Sequence, residues 1–177
     1  MGSWNVLYVR SGGDLTATTT AIQKLFPDAK LDSGPDFIGV HLDSDEYGSP
    51  TCDLAKLSTE FGTDVIWLCF QSVVDAFQFR HWRTGTLVRS LVFGCYGDEE
   101  RMWTEADGQT EPWEREAFFD PKALKYPLEY AQTDEEKSEL ERIWREAELL
   151  PDRLEPSIDA RESARKAAEF YHFPGWS

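Results

Sequence analysis

Residues 65–93 of the chain read VIWLCFQSVVDAFQFRHWRTGTLVRSLVF. The first six of these residues are apolar and rich in strand formers, which is typical of a strand buried on both faces. Two further strand patterns, 76–82 and 86–93, lie on either side of Arg83-Thr84-Gly85, a short loop that predicts an antiparallel hairpin. We therefore expect three consecutive strands here, the first of them in the middle of the sheet.

Two registers fit this hairpin, and its side chains favour one. A two-residue turn at Thr84-Gly85 would place Arg80 opposite Arg89, and like charges directly opposite destabilise a ladder. A three-residue loop with Gly85 in the left-handed conformation would instead pair Trp82 with Thr86. We expect the second register, which brings these residues to one face, toward the core: Phe77, Phe79, His81, Leu87, Arg89, Leu91 and Phe93.

Upstream of this stretch, the chain twice shows a strand followed by a helix. Strand patterns at 6–9 and 37–42 are each followed by apolar residues at helical spacing, with Asp14 and Ser49 in N-cap positions. Parallel neighbours require crossover connections, which are usually helical. This βαβαβ order predicts an α/β fold with a mixed sheet of five or more strands.

The remainder of the chain is acidic and ends in helical patterns. A turn signal at Asp107-Gly108, between segments 101–104 and 112–119, predicts a second hairpin. Thr133 and Glu136 have capping-box spacing at the start of one helix, and a last helix begins near Asp159.

A length of 177 residues fits one domain. We expect residues 1–97 to form the sheet core, and residues 98–177 to supply an acidic segment and two C-terminal helices packed on it.

The formal net charge is −15, and 22 of the 33 acidic residues lie in 98–177. Such a field repels phosphate backbones and anionic bilayers, so we expect neither nucleic acid nor a membrane as partner. A cationic protein partner fits the charge; the alternative is that the acids only keep a Trp-rich surface soluble. The lack of an export signal and of CxxC spacing predicts a reducing, cytoplasmic location.

An acidic turn after the second strand is a candidate metal site. His41, Asp43 and Asp45 would offer imidazole and oxygen ligands to a divalent cation. As a calcium loop the segment fails, because Leu54 stands where a bidentate Glu belongs. A solvated turn is the alternative that we favour, and we predict no cofactor.

The hairpin holds the other candidate for chemistry. His81 and Arg89 interrupt its apolar face at a diagonal, and buried polar groups need partners. In a structural interpretation Arg89 pairs with a carboxylate, either Asp75 or one from 98–116. In a functional interpretation the pair lies at the rim of a pocket, where Arg89 binds an anion and His81 transfers a proton.

Seven tryptophans provide large contact areas. Three of them, Trp82, Trp103 and Trp113, are expected outside the core face, where they would mark an interface.

The segment around the hairpin also carries a resemblance. Ser72-Val73-Val74-Asp75, the aromatic strand with Phe77, Phe79 and Trp82, the Gly85 turn and the sequence LVRSL at 87–91 resemble the core signature of a family of uncharacterised bacterial proteins. The match covers a small part of the chain. It implies a bacterial origin and carries over no activity.

Three functions remain open. The first is a non-catalytic protein-interaction module, since no complete catalytic set is found. The second is an acidic immunity or inhibitor protein that mimics nucleic acid and blocks a basic toxin or nuclease, which requires the acids of 98–120 to be exposed on one surface. The third is an enzyme or small-molecule binder that uses a His81/Arg89 pocket.

Overall fold

The computed structural model describes residues 3–42, 50, 52–94 and 100–176. These residues form seven strands and six helices. In chain order they are β1 Ser3–Arg10, α1 Leu15–Leu25, β2 Leu31–Ser33, β3 Phe37–His41, α2 Leu54–Phe61, β4 Asp64–Gln71, β5 Ala76–Arg83, β6 Thr86–Gly94, β7 Met102–Gly108, α3 Pro112–Phe118, α4 Lys125–Tyr130, α5 Asp134–Glu146 and α6 Ala160–Tyr171. Within the described ranges, no helix has the length and apolar character that crossing a bilayer requires.

All seven strands belong to one sheet in the order β2-β3-β1-β4-β5-β6-β7, and each pair of neighbours is antiparallel. The α/β domain with a sheet of five or more strands is confirmed, but the prediction of parallel neighbours is wrong. The helices α1 and α2 do connect strands of the same direction, β1 with β2 and β3 with β4. In each case another strand lies between the two, β3 in the first and β1 in the second, as in a split βαβ unit.

Helices cover both faces of the sheet, and β4 contributes to a core on each. Val65 and Trp67 belong to a core with Ile22 of α1 and Leu57 of α2. The alternate residues of β4 belong to a second core with the C-terminal helices, since successive side chains of a strand point to opposite faces. The strand is the fourth of seven, so the predicted central position is confirmed.

The caps of the first two helices follow local sequence. Asp14 caps α1 as predicted, its side chain accepting a hydrogen bond from the Ala17 N–H (2.9 Å). The cap of α2 is Asp53, which accepts from the Lys56 N–H (3.0 Å). The predicted cap, Ser49, lies outside the described residues.

The β5–β6 hairpin differs from both predicted registers. Its turn consists of Thr84 and Gly85, which have positive φ of 45° and 83°. A bulge at Val88 then shifts the register by one residue, so that Arg80 faces Ser90 and not Arg89. The bulge therefore removes the like-charge contact that argued against a two-residue turn.

This bulge also decides which side chains of the hairpin face the C-terminal helices. The predicted core residues Phe77, Phe79, Leu91 and Phe93 are buried in that layer. The prediction for Leu87 is wrong, because it pairs with Trp82 on the turn side of the bulge and lies outside that core.

The C-terminal part supplies the helices of the second layer. One strand of the predicted second hairpin is confirmed, and it is β7. The prediction of the other strand at 112–119 is wrong, because α3 occupies this segment. The Glu114 side chain accepts a hydrogen bond from the Glu111 N–H (2.8 Å), and Pro112 occupies the first turn, both of which favour a helix start. The predicted starts of α5 and α6 are confirmed.

Candidate functional site

His81 and Arg89 lie directly opposite each other on β5 and β6, where the sequence placed them at a diagonal. Both side chains face the C-terminal helices, and their exposed fractions are 1% and 2%. Burial to this degree requires partners for every polar atom. The chemistry of the pair therefore depends on the groups that surround it.

Both ring nitrogens of His81 are occupied by carboxylates. Nε2 lies 2.9 Å from Asp64 Oδ1 at the start of β4, and Nδ1 lies 2.5 Å from Glu111 Oε1 just before α3. Glu111 Oε2 in turn accepts hydrogen bonds from the Trp113 indole (2.7 Å) and the Tyr171 hydroxyl. The imidazole thus connects the sheet with α3 and α6.

The carboxylates of Asp64 and Glu111 raise the pKa of His81. Burial alone would lower the pKa of this histidine, but its hydrogen bonds to Asp64 and Glu111 outweigh burial and raise the pKa above its ordinary value. Burial would raise the pKa of Asp64, but hydrogen bonds from His81 and Arg83 outweigh it and lower the pKa to about 2. Folding therefore shifts His81 toward the imidazolium form.

Arg89 forms a bidentate ion pair with Glu114 of α3. Its Nε and Nη2 atoms donate to the two carboxylate oxygens at 2.8 and 2.7 Å. Its Nη1 atom donates to the carbonyls of Ala106 and Gly108 at 3.1 and 3.3 Å. Burial raises the pKa of Glu114, and the Arg89 charge opposes that shift.

The contact of Arg89 with Glu114 is the one expected in the structural interpretation, in which Arg89 pairs with a carboxylate from residues 98–116. The other carboxylate considered, Asp75, pairs with Arg101 near the surface. All three guanidinium nitrogens of Arg89 and both ring nitrogens of His81 already have protein partners. The two side chains therefore offer no free polar atom to an anion or to a proton acceptor.

Sequence reasoning missed Asp64, Glu111 and Tyr171. The sequence did carry a signal for the first two. Asp64 is an acid at the start of an apolar strand, and Glu111 is an acid immediately before Pro112 at the start of a helix. Tyr171 carries no such signal, since any aromatic residue at the end of an amphipathic helix would show the same pattern.

The predicted interface tryptophans are corrected by their burial. Trp103 and Trp113 are 0% and 3% exposed, and both belong to the core under the C-terminal helices. Their indole nitrogens are satisfied internally, by the Pro156 carbonyl (2.9 Å) and by Glu111. Trp82 is partly buried and packs against the core that contains α1 and α2.

The metal-site candidates fall partly outside the described residues. Asp43 and Asp45 belong to the part that is not described, whereas His41 Nε2 lies 2.6 Å from Asp32 of β2. Among the residues that are described, no three His, Cys, Asp or Glu side chains are grouped to hold a metal ion. Burial raises the pKa of the Cys69 thiol to about 12, which makes it a poor nucleophile.

A different surface feature was not predicted. The groove between α4, α5 and residues 152–155, which we call the Tyr groove, has a volume of about 560 Å³. Tyr126 and Tyr130 are 67% and 62% exposed, and their ring centroids lie 4.7 Å apart. The groove is lined by Tyr126, Pro127, Tyr130, Ala131, Glu136, Glu139, Leu140, Ile143, Asp152, Arg153, Leu154 and Glu155.

Comparison of the chain with protein families, curated proteins and solved structures finds no significant match. The resemblance of the hairpin to a bacterial family stays a prediction. The function is therefore argued from the geometry of the sites alone.

Proposed function

We propose that the protein is a non-catalytic interaction module whose Tyr groove binds a cationic segment of a partner protein. The observation that carries this proposal is the pair of exposed tyrosines on a groove that is lined by both apolar side chains and carboxylates. Tyrosine combines a large apolar ring with a polar hydroxyl, and it is enriched where proteins meet.

The apolar part of the groove would accept the aliphatic portion of a partner segment. Leu140 and Ile143 of α5 line it together with Pro127 and with Leu154, which is 46% exposed. Covering such side chains removes apolar area from water, which favours association.

The charges that line the groove favour a cationic partner. Four carboxylates and one guanidinium line the groove. Only one of the four, Glu139, pairs with cations of the protein, Arg142 and Arg153; Glu136, Asp152 and Glu155 have no such cation among the described residues. A lysine or arginine of the partner would gain from these carboxylates and from the faces of the tyrosine rings.

The two alternative functions receive less support from the same contacts. Mimicry of nucleic acid needs the acids of 98–120 on one exposed surface, whereas Glu111 and Glu114 are buried at 6% and 0% exposure. Chemistry at His81 and Arg89 needs free polar atoms, whereas the two side chains are occupied by carboxylates.

The proposal is tested with two labelled peptides of equal length, one of alternating Lys and Leu and one of alternating Glu and Leu. We expect fluorescence anisotropy to show saturable binding of the basic peptide only, weakened by salt because exposed charges are screened. The double substitution Tyr126→Ala and Tyr130→Ala should weaken binding about tenfold, the loss of roughly 1.4 kcal/mol.

The matched control is Phe170→Ala, which removes an aromatic ring that is 46% exposed outside the Tyr groove. It should leave the affinity for the basic peptide unchanged. Equal binding of the acidic peptide, or equal loss in the control and in the double variant, would refute the proposal.

A further inference from the structure

We infer that a second cavity, between α3, α5 and α6, binds a small organic anion with an aromatic or branched apolar body. We call it the arginine pocket. Its volume is about 700 Å³, within the range of small-molecule sites. Its lining includes Arg115, Arg145 and Lys166 around the apolar side chains of Phe119, Leu124 and Trp144.

The first observation is that two arginines of this pocket lack carboxylate partners. Eight of the eleven arginines in the chain form ion pairs with protein carboxylates. Arg115 and Arg145 form none with any residue that the structure describes, although acids outnumber bases 33 to 18. Guanidinium groups bind carboxylates and phosphates through paired donors, so two unpaired ones at one cavity favour an anion.

One acid of the pocket pairs with a base of the same pocket. Glu116 lies 4.0 Å from the Lys166 ammonium. The Asp120 carboxylate accepts a hydrogen bond from the Lys122 N–H (2.9 Å), as in a local turn. Asp120 and Glu141 keep their charges, so the lining, with three acids and three bases, is formally neutral. The preference for an anion therefore rests on the paired donors of the two guanidinium groups.

The apolar side chains of the pocket favour a ligand that has an apolar part in addition to its negative charge. Phe119 and Trp144 meet edge to face with ring centroids 5.9 Å apart, and their exposed fractions are 4% and 7%. The Trp144 indole nitrogen donates to the Asp120 carbonyl (3.0 Å), which fixes the ring. The more accessible apolar surface of the pocket belongs to Pro121, which is exposed, and Leu124, which is partly buried. A free inorganic anion would leave these side chains uncovered, whereas an aryl or branched-alkyl group would cover them.

The inference does not depend on the Tyr groove, which lies between α4, α5 and residues 152–155 and shares no lining residue with the arginine pocket. The two sites prefer ligands of opposite charge. Failure of one proposal would therefore leave the other standing.

The test uses isothermal titration calorimetry of the full chain with four probes: phenyl phosphate, benzoate, benzylamine and inorganic phosphate. Saturable binding of either organic anion, with no comparable binding of benzylamine or inorganic phosphate, is the expected result. The double substitution Arg115→Gln and Arg145→Gln should weaken that binding about tenfold or more.

The matched control is Arg161→Gln. Arg161 is exposed on α6, forms no ion pair among the described residues, and lies outside the pocket lining. Both Gln variants should keep the circular dichroism spectrum of the unchanged chain, because the three arginines are exposed. Equal binding of benzylamine, equal binding of inorganic phosphate, or equal loss in the control would overturn the inference.

Discussion

At the scale of single residues, the buried ion pair of Arg89 and Glu114 stabilises the fold only if its geometry offsets the loss of hydration. Removing two charges from water costs several kcal/mol for each ion, and the cost is recovered only with good geometry and further hydrogen bonds. The bidentate contact and the two carbonyls that accept from Arg89 meet that condition. Each partner is therefore worth more to stability as a member of the pair than as an isolated group.

We expect Arg89→Met to lower the free energy of unfolding by about 3–5 kcal/mol, because it leaves the Glu114 charge buried without a partner. Glu114→Gln should be destabilising for the reciprocal reason. The two substitutions together should cost less than the sum of the single losses, since no unpaired charge remains. Urea unfolding followed by circular dichroism measures all three.

Arg161→Gln serves as the control, and an exposed arginine without an ion pair should change stability by no more than about 0.5 kcal/mol. Strictly additive losses in the double variant would mean that the pair does not act as a unit.

Sequence reasoning located His81 and Arg89 but not all their partners. Alternation along β5 and β6 places both residues on the apolar face, and an interrupted apolar face predicts that they are buried. The acidic segment was the expected source of a carboxylate, and Glu114 comes from it. Asp64 and Tyr171 lie 17 and 90 residues from His81 in sequence, and local spacing cannot indicate contacts at such distances.

At the scale of secondary structure elements, the Val88 bulge is the feature that could not be predicted from hydrophobic periodicity and turn preferences. Periodicity correctly assigned Phe77 and Phe93 to the core face, yet either simple register would have placed Arg89 opposite Phe79 or Arg80. A bulge adds a residue to one strand at a position that depends on the neighbouring strand. Here β7 provides that context, because the Gln109 N–H donates to the Val88 carbonyl (2.9 Å).

Gly108, opposite Arg89 at the end of β7, is the residue that permits this close approach. Its φ is +92°, and a Cβ atom there would lie 2.2 Å from the Val88 carbonyl oxygen. We expect Gly108→Ala to be destabilising through backbone strain, which costs about 1–3 kcal/mol, and through a shift of β7 away from β6. Thermal or urea unfolding measures the loss.

The control is Gly13→Ala. Gly13 has a similar φ of +96° but no atom within 4 Å of a Cβ, so only the strain applies there. The loss at Gly108 should exceed that at Gly13 by about 1 kcal/mol or more. Equal losses would show that the contact with Val88 is unimportant.

At the scale of the whole molecule, the two faces of the sheet carry different kinds of structure. The face under α1 and α2 has an apolar core, whereas the face under the C-terminal helices also contains His81, Arg89 and their carboxylates. Composition and periodicity predicted one α/β domain with an acidic C-terminal part. Strand neighbours could not be predicted, because a helix that connects two parallel strands does not reveal whether a third strand lies between them.

The position of His81 between the sheet and the C-terminal helices makes the stability of the whole domain depend on pH. Its pKa is raised in the folded state above the ordinary value of 6.5. The imidazolium therefore contributes stability in full below about pH 6.5, and this contribution is lost as the pH rises through the folded pKa. The pKa of Asp64, lowered to about 2 from 3.8, has the opposite effect: its contribution is lost as the pH falls from about 4 toward 2.

We therefore expect the difference in unfolding free energy between the unchanged chain and His81→Gln to be largest between about pH 4 and 6.5 and to shrink at higher pH. The decrease should amount to about 1.4 kcal/mol for each unit by which folding raises the histidine pKa. Urea unfolding at a series of pH values gives this difference, and the general repulsion among the acids is common to both chains. The control is His172→Asn, which replaces an exposed histidine at the C-cap of α6 by a residue that tolerates the left-handed backbone there. A difference that stays constant from pH 5 to 9 would mean that folding does not change the pKa of His81, and it would contradict the prediction.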